Sequence, residues 1–190
     1  MSLAALKEWA VTCEALAAGD QVMILRKGGI GEKRFELPHP AFFLFPTYAH
    51  QRPELVQAEA AARHAAALER REDPDRLPLA LWCEIHESFP IRDPEALAAI
   101  GDLQILTGDY ASERLRWRRT QPLWAVVLRA WRVADPPILE VGPEHGGCVS
   151  WVELPSSITL GARTAAVDDA EFALAAGRVA DTLAPFVPSA

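Results

Sequence analysis

The run PLWAVVLRAWRV, residues 122–133, decides the fold class. It is the longest stretch of β-branched, aromatic and apolar residues in the chain, and no glycine interrupts it. That composition predicts a long strand. Trp124 shares strand parity with Val126 and Leu128, and Trp131 with Val127. At least one of the two indoles is therefore expected in the core.

Working outward, further strands are predicted in QVMILR (21–26), AFFLFP (41–46), LALWCEIHESFPI (79–91) and CVSWVEL (148–154). AFFLFP is apolar without interruption, which predicts burial on both faces. In 79–91 the residues alternate: Leu79, Leu81, Cys83 and Ile85 take one face, and Trp82, Glu84 and His86 the other. A hairpin-like pairing of 21–26 with 41–45 is expected.

Helical patterns separate these runs. Leu3, Leu6, Ala10, Cys13 and Leu16 recur at helical spacing and Gly19 supplies a stop, so residues 3–18 read as one helix. Pro53 opens an Ala-rich helix to about Arg70, expected to be largely exposed, within a helical insertion spanning 52–72. Asp93 and Pro94 start a short helix ending at Gly101, and Thr107 caps another. Asp168 with Glu171 forms a capping box for a helix over 169–183. The order α-β-β-α-β-α-α-β-β-α lacks regular βαβ alternation. It predicts a single compact α+β domain over 1–190, with a mixed or mostly antiparallel sheet and flanking helices.

The chain has 190 residues, half of them hydrophobic, which is enough for a real core. No apolar run approaches the ~20 residues of a membrane span. Lys7, Glu8 and Glu14 break the apolar pattern of the first 18 residues, which argues against a signal peptide, so a cytoplasmic location is expected. Cys13, Cys83 and Cys148 form no CxxC pair, which excludes a zinc ribbon or a redox motif.

Net charge is −7, unevenly distributed. Residues 114–132 carry +6 and residues 26–34 carry +3, leaving −16 on the remainder. Such a chain is unlike a bulk duplex-DNA binder, which is basic overall. It can still present a local positive patch.

Five constellations could carry chemistry. In Arg26-Lys27-Gly28-Gly29, followed by Glu32, glycines let backbone N–H groups converge beside two cations, as in phosphate-binding nests; the alternative is a plain chain reversal. The spacing is that of neither a P-loop nor GxGxxG. His50 and Gln51 stand just before a helix start, where His50 could serve as a general base or merely cap. Glu84 and His86 could pair as acid and base or hold a metal, though no third ligand is evident and no metal site is predicted. Cys148, after His145-Gly146-Gly147, is either an activated thiol or a small buried residue. In RLRWRRTQPLWAVVLRAWR (114–132), arginines and tryptophans interleave as in single-strand binders, with Arg116, Arg118 and Arg119 outside the strand.

Four segments, LKEWAVTCEAL (6–16), LRKGGIGE (25–32), FPTYAHQRPEL (45–55) and GGCVSWVEL (146–154), together resemble a bacterial family known as domain of unknown function 1802. The resemblance implies attention to Arg26, Lys27, Gly28, Gly29, Glu32, His50, Gln51, Gly147, Cys148 and Trp151, and carries no activity. EALAAGDQVMILRKGG (14–29) is also similar in outline to the opening of pseudouridine-synthase-associated RNA-binding barrels.

The leading expectation is a phosphate-binding domain for a nucleotide or single-stranded nucleic acid, using Arg26, Lys27, Gly28, Gly29, Glu32, His50, Gln51, Arg118 and Arg119. The rival is a phosphoester hydrolase using His50 or Glu84 with His86, with or without a divalent metal. A third reading is a non-catalytic interaction module docking through 53–70. On the leading reading, Arg26→Ala with Lys27→Ala lowers affinity for a phosphate ligand, makes its salt dependence shallower and leaves the melting temperature little changed.

Overall fold

The computed structural model describes residues 3–27, 36–70, 72–117, 120–147 and 149–186. In chain order the elements are β1 (Ala4–Trp9), α1 (Ala10–Ala18), β2 (Met23–Arg26), β3 (Ala41–Thr47), α2 (Ala58–Arg63), α3 (Ala65–Glu69), β4 (Arg76–Pro78), β5 (Leu81–Ile91), α4 (Pro94–Ala99), α5 (Gly108–Arg116), β6 (Leu123–Val133), β7 (Ile138–Glu140), β8 (Trp151–Glu153), β9 (Arg163–Ala165) and α6 (Asp169–Leu183). The fold is α+β, with a mixed seven-stranded sheet and six helices among the described residues.

The sheet order is β2-β6-β5-β3-β1-β8, with β9 added along β6. β6 is the run 122–133 of the sequence, and its length explains its place. Residues 124–127 pair with β2, residues 131–133 with β9, and residues 123–132 with β5. One parallel pair, β1 with β3, makes the sheet mixed. β4 and β7 form a separate two-stranded sheet.

Three apolar clusters pack around these strands. Leu6, Ile24, Phe42, Leu44, Cys83, Val126 and Leu128 converge from β1, β2, β3, β5 and β6 on one shared interior with Leu16 of α1. Leu25, Phe89, Ile91, Ala125 and Val127 meet α4, α5 and α6. Phe43, Phe45, Trp82 and Val133 meet the β4–β7 pair. β3 is buried on both faces, since Phe42 through Phe45 all have 2% exposure or less. Trp124 packs against the first of these clusters and Trp131 against the third, each half-buried.

The helix expected over 3–18 is corrected at its start. Residues 4–9 form β1, paired in parallel with β3 and antiparallel with β8. Ala and Leu at helical spacing carry only weak propensity, and ladder bonds on both sides of the strand override it. The helix begins at Ala10, where Glu8 Oε1 accepts the Trp9 N–H at 2.8 Å. It ends at Gly19, whose φ of 83° supplies the left-handed stop.

The pairing of 21–26 with 41–45 is also corrected: β2 pairs with β6, and β3 lies between β5 and β1. The helix over 53–70 is two short helices broken at His64. His64 is buried and its Nε2 lies 2.7 Å from Asp20 Oδ2. That contact, with burial of Ala67 and Leu68 in the helical core, needs a change of direction that one straight helix lacks. The caps at Asp93, Thr107 and Asp168 form, accepting from Glu95, Tyr110 and Glu171 N–H groups; of the capping box expected at Asp168 and Glu171, the structure shows the Asp168 half.

In β5 the register shifts between Ile85 and Glu87, leaving His86 as an inserted residue. The insertion exchanges faces: Leu81 and Cys83 enter the interior shared with β1 and β2, while Phe89 and Ile91 enter the helical layer.

Burial also sets an alkaline limit. It pushes the thiols of Cys13 and Cys83 well above their ordinary 9.0, and the phenols of Tyr48 and Tyr110 above 10.0. The folded chain therefore keeps protons that the unfolded chain releases above those values, and stability falls as pH rises past 9. Lys27, lowered from 10.5 by burial and then by Arg92, works the opposite way just below its ordinary value. Four groups oppose one. Melting temperature measured from pH 7 to 11 is expected to decline above pH 9, with a shallower decline in Cys13→Ser/Cys83→Ala; an unchanged slope in that variant contradicts the assignment.

Candidate functional site

The carboxyl ends of β1 and β2 come together although three strands separate them in the sheet order. Arg26 closes the gap. Its guanidinium donates to Lys7 O at 2.9 Å, to Glu8 Oε2 at 3.2 Å and to Ser150 Oγ at 2.9 Å. The Arg26 and Glu8 side chains are 15% and 5% exposed, so the ion pair is nearly dry.

Above this junction lies a cleft of about 900 Å³. Its floor is Lys7–Trp9 and Leu25–Lys27. Its walls are the segment 47–52, the end of α5 with Trp117, and the loop 142–150. Among the described residues that line it, five basic ones (Lys7, Arg26, Lys27, Arg52 and Arg114) face three acidic ones (Glu8, Asp73 and Glu113). The lining is thus +2 within a chain of −7. Trp9, Phe45, Tyr110 and Trp117 add aromatic surface. Trp9 and Tyr110 meet edge to face with centroids 5.0 Å apart, and the Arg114 guanidinium lies 5.3 Å from the Tyr110 centroid.

The cations differ in how they are held. Arg26 is bound to Glu8, and Arg52 to Glu54 and Glu113 at 3.0 and 2.9 Å. Lys7 Nζ donates to the carbonyl oxygens of His145, Gly146 and Gly147, the last two at 3.3 and 3.1 Å. Lys27 Nζ donates to Leu115 O at 2.9 Å. A carbonyl oxygen satisfies an ammonium's hydrogens without cancelling its charge, so these bonds leave positive potential at the cleft. The Lys27–Leu115 bond also ties the end of β2 to the last turn of α5.

The sequence-predicted residues separate clearly. Arg26, Lys27 and His50 line the cleft. His50 is exposed and has φ 70°, a left-handed backbone that reverses the chain. The next residue, Gln51, is turned inward and 5% exposed. Its Oε1 accepts from Val11 N–H at 2.9 Å and its Nε2 donates to Ala67 O at 2.9 Å, so it caps α1 and ties α3 to it. Glu84 and His86 lie outside the cleft. Because His86 is the inserted residue of β5, the expected side-by-side arrangement is corrected: Glu84 meets Arg163 at 3.4 Å, whereas His86 packs edge-on against Phe172 of α6. Among the described residues no three His, Cys, Asp or Glu gather as a metal site. Gly28, Gly29, Glu32, Arg118, Arg119 and Cys148 lie outside the described residues. Gly147 has φ 78° and contributes its carbonyl to Lys7; Trp151 donates from Nε1 to Glu36 O at 3.1 Å.

Sequence reasoning missed Lys7, Trp9, Tyr110 and His145 as cleft residues. Lys7 and Trp9 were assigned to a helix, where their strand-end position could not be seen. A lysine and a tryptophan flanking an acid, just before a helix start, were the available signal.

The architecture and the cleft define a class: an α+β protein with a basic, aromatic-lined cleft where two strand ends converge. The chain belongs to the family described as Domain of unknown function (DUF1802), which it matches over residues 5–177. No curated protein matches it significantly. Among solved structures it is similar to two crystal structures of mutant ZmASCH protein from Zymomonas mobilis. One is 14% identical with a TM-score of 0.45, covering 82% of this chain and 92% of that one. The other is 12% identical with a TM-score of 0.45, covering 98% and 97%. Both similarities are too distant to carry a function. No helix of the described residues is long and apolar enough to cross a membrane.

Proposed function

We propose that the cleft binds a phosphate-bearing nucleotide. The observation that carries this reading is the excess of basic over acidic side chains in a 900 Å³ concavity of an otherwise acidic chain. The volume falls within the about 300–1,000 Å³ of small-molecule sites. Lys7 and Lys27, held by carbonyl oxygens, supply the anion's countercharge. Trp9 and Trp117 supply the flat apolar surface that a base requires, with Tyr110 packed edge to face against Trp9. Arg26 organises the floor, through Glu8 and Ser150, more than it captures the ligand.

The test is titration calorimetry of the full chain with adenosine monophosphate and with adenosine. The nucleotide is expected to bind more tightly, and its advantage to shrink from 50 to 300 mM salt. Lys7→Met with Lys27→Met is expected to cost on the order of tenfold or more in nucleotide affinity, since a hydrogen bond to a charged group contributes about 1.5–3 kcal/mol. Equal affinity of the double variant, at unchanged melting temperature, overturns the assignment.

A further inference from the structure

His145 is 6% exposed, yet its ring lines the cleft. Its Nδ1 accepts the Gly142 backbone N–H at 2.8 Å. An acceptor nitrogen carries no proton, so the neutral ring is fixed as the tautomer protonated on Nε2. Among the described residues nothing bonds Nε2. The ring's surroundings are the Phe45 ring at 6.5 Å, Glu144 Oε1 at 3.7 Å from Nδ1, and Lys7, whose Nζ is bonded to the His145 carbonyl.

Nε2 is the ring's remaining polar atom, and in a residue that lines the cleft it is the one available to donate to a ligand in place of water. Lys7, Arg26 and Ser150 share this end of the cleft with His145 and are cross-linked to one another or to its loop. Trp9, Tyr110, Arg114 and Trp117 form the other end, on and beside α5. The site thus has an end at His145 and Lys7, which carries one neutral donor, and an end at α5, where Trp9 and Tyr110 meet with Arg114 and Lys27 alongside.

Building on the nucleotide reading, we propose that His145 contacts the ligand directly, donating from Nε2 to a phosphate oxygen, and that the cleft takes one nucleoside monophosphate unit with its base toward Trp9 and Tyr110. The neighbouring cation favours an acceptor oxygen over a donor at this position. Gly142 keeps the imidazole a donor without charging it.

Two experiments test this. Calorimetry with adenosine monophosphate and adenosine is run on wild type, His145→Phe and His145→Gln. Phenylalanine keeps the ring and loses both nitrogens; glutamine can accept from Gly142 and donate to the ligand. The expected result is about a tenfold loss for the nucleotide in His145→Phe, no loss for adenosine, and recovery in His145→Gln. Equal losses for both compounds overturn the contact and make His145 a support of the loop. The second experiment needs no variant: a two-bond ¹H–¹⁵N histidine spectrum is expected to show His145 protonated on Nε2, with that nitrogen shifting on addition of adenosine monophosphate. Protonation on Nδ1, or an unmoved Nε2 at saturation, overturns the proposal while leaving nucleotide binding in place. Wild-type protein that binds no nucleotide overturns both readings.

Discussion

Arg26→Ala is expected to lower the melting temperature on the order of 10 °C, the result of losing roughly 3–5 kcal/mol in a chain of this size. The reason is the Glu8 carboxylate. With its side chain 5% exposed, it keeps the Trp9 N–H but loses its cationic partner. The Lys7 carbonyl and Ser150 Oγ lose their donor in the same step. Three segments distant in sequence, β1, β2 and the loop before β8, meet at this one guanidinium, so the loss is felt across the cleft floor. This reverses the expectation from sequence, in which Arg26 was a solvated cation removable at little cost. Scanning calorimetry of Arg26→Ala measures the effect; a change below about 1 kcal/mol contradicts it. Arg26→Met combined with Glu8→Gln removes both charges and keeps an acceptor for Trp9. That pair is expected to recover at least half of the lost stability, because the cost lies in the orphaned charge more than in the missing bond.

Phe42→Ala is the second large effect. Phe42 is fully buried in the interior that β1, β2, β3, β5 and β6 share, and meets Trp151 edge to face with centroids 4.9 Å apart and planes at 88°. Truncation opens a cavity among side chains drawn from five strands, which backbone hydrogen bonds on both sides of β3 keep from collapsing. The expected cost is about 3–5 kcal/mol, read as a lower guanidinium midpoint at unchanged slope. Phe42→Leu, which keeps most of the volume, is expected to cost less than half as much. Equal losses for the two variants, or a changed slope, contradict the packing argument.

The features legible in sequence were those with a local cause. The caps at Asp93, Thr107 and Asp168 were readable because each is made by a side chain two or three residues from the N–H it accepts. β6 and β3 were readable from unbroken apolar runs. β1 was not, because AALKEW has no strand composition of its own; it is a strand because β3 and β8 supply both ladders. The role of His86 was hidden for a similar reason. Alternation predicts which face a residue takes only until a residue is inserted, and the insertion is defined by the opposite strand, β6.

For the site, sequence showed two cationic stretches in an acidic chain and the glycine-rich segment near residue 147, both consequences of composition alone. It also determined that the chain is an α+β domain with a long strand at 123–133, which β5 equals at 11 residues. What tertiary structure alone decided is which charges remain effective. Arg26 and Lys27 are adjacent basic residues, yet one is neutralised by Glu8 and the other bonds to the Leu115 carbonyl. A side chain's charge is a property of the residue, whereas the potential it leaves in a cleft depends on the partner the fold places within hydrogen-bond reach of it, and that partner stands 18 positions away for one and 88 for the other.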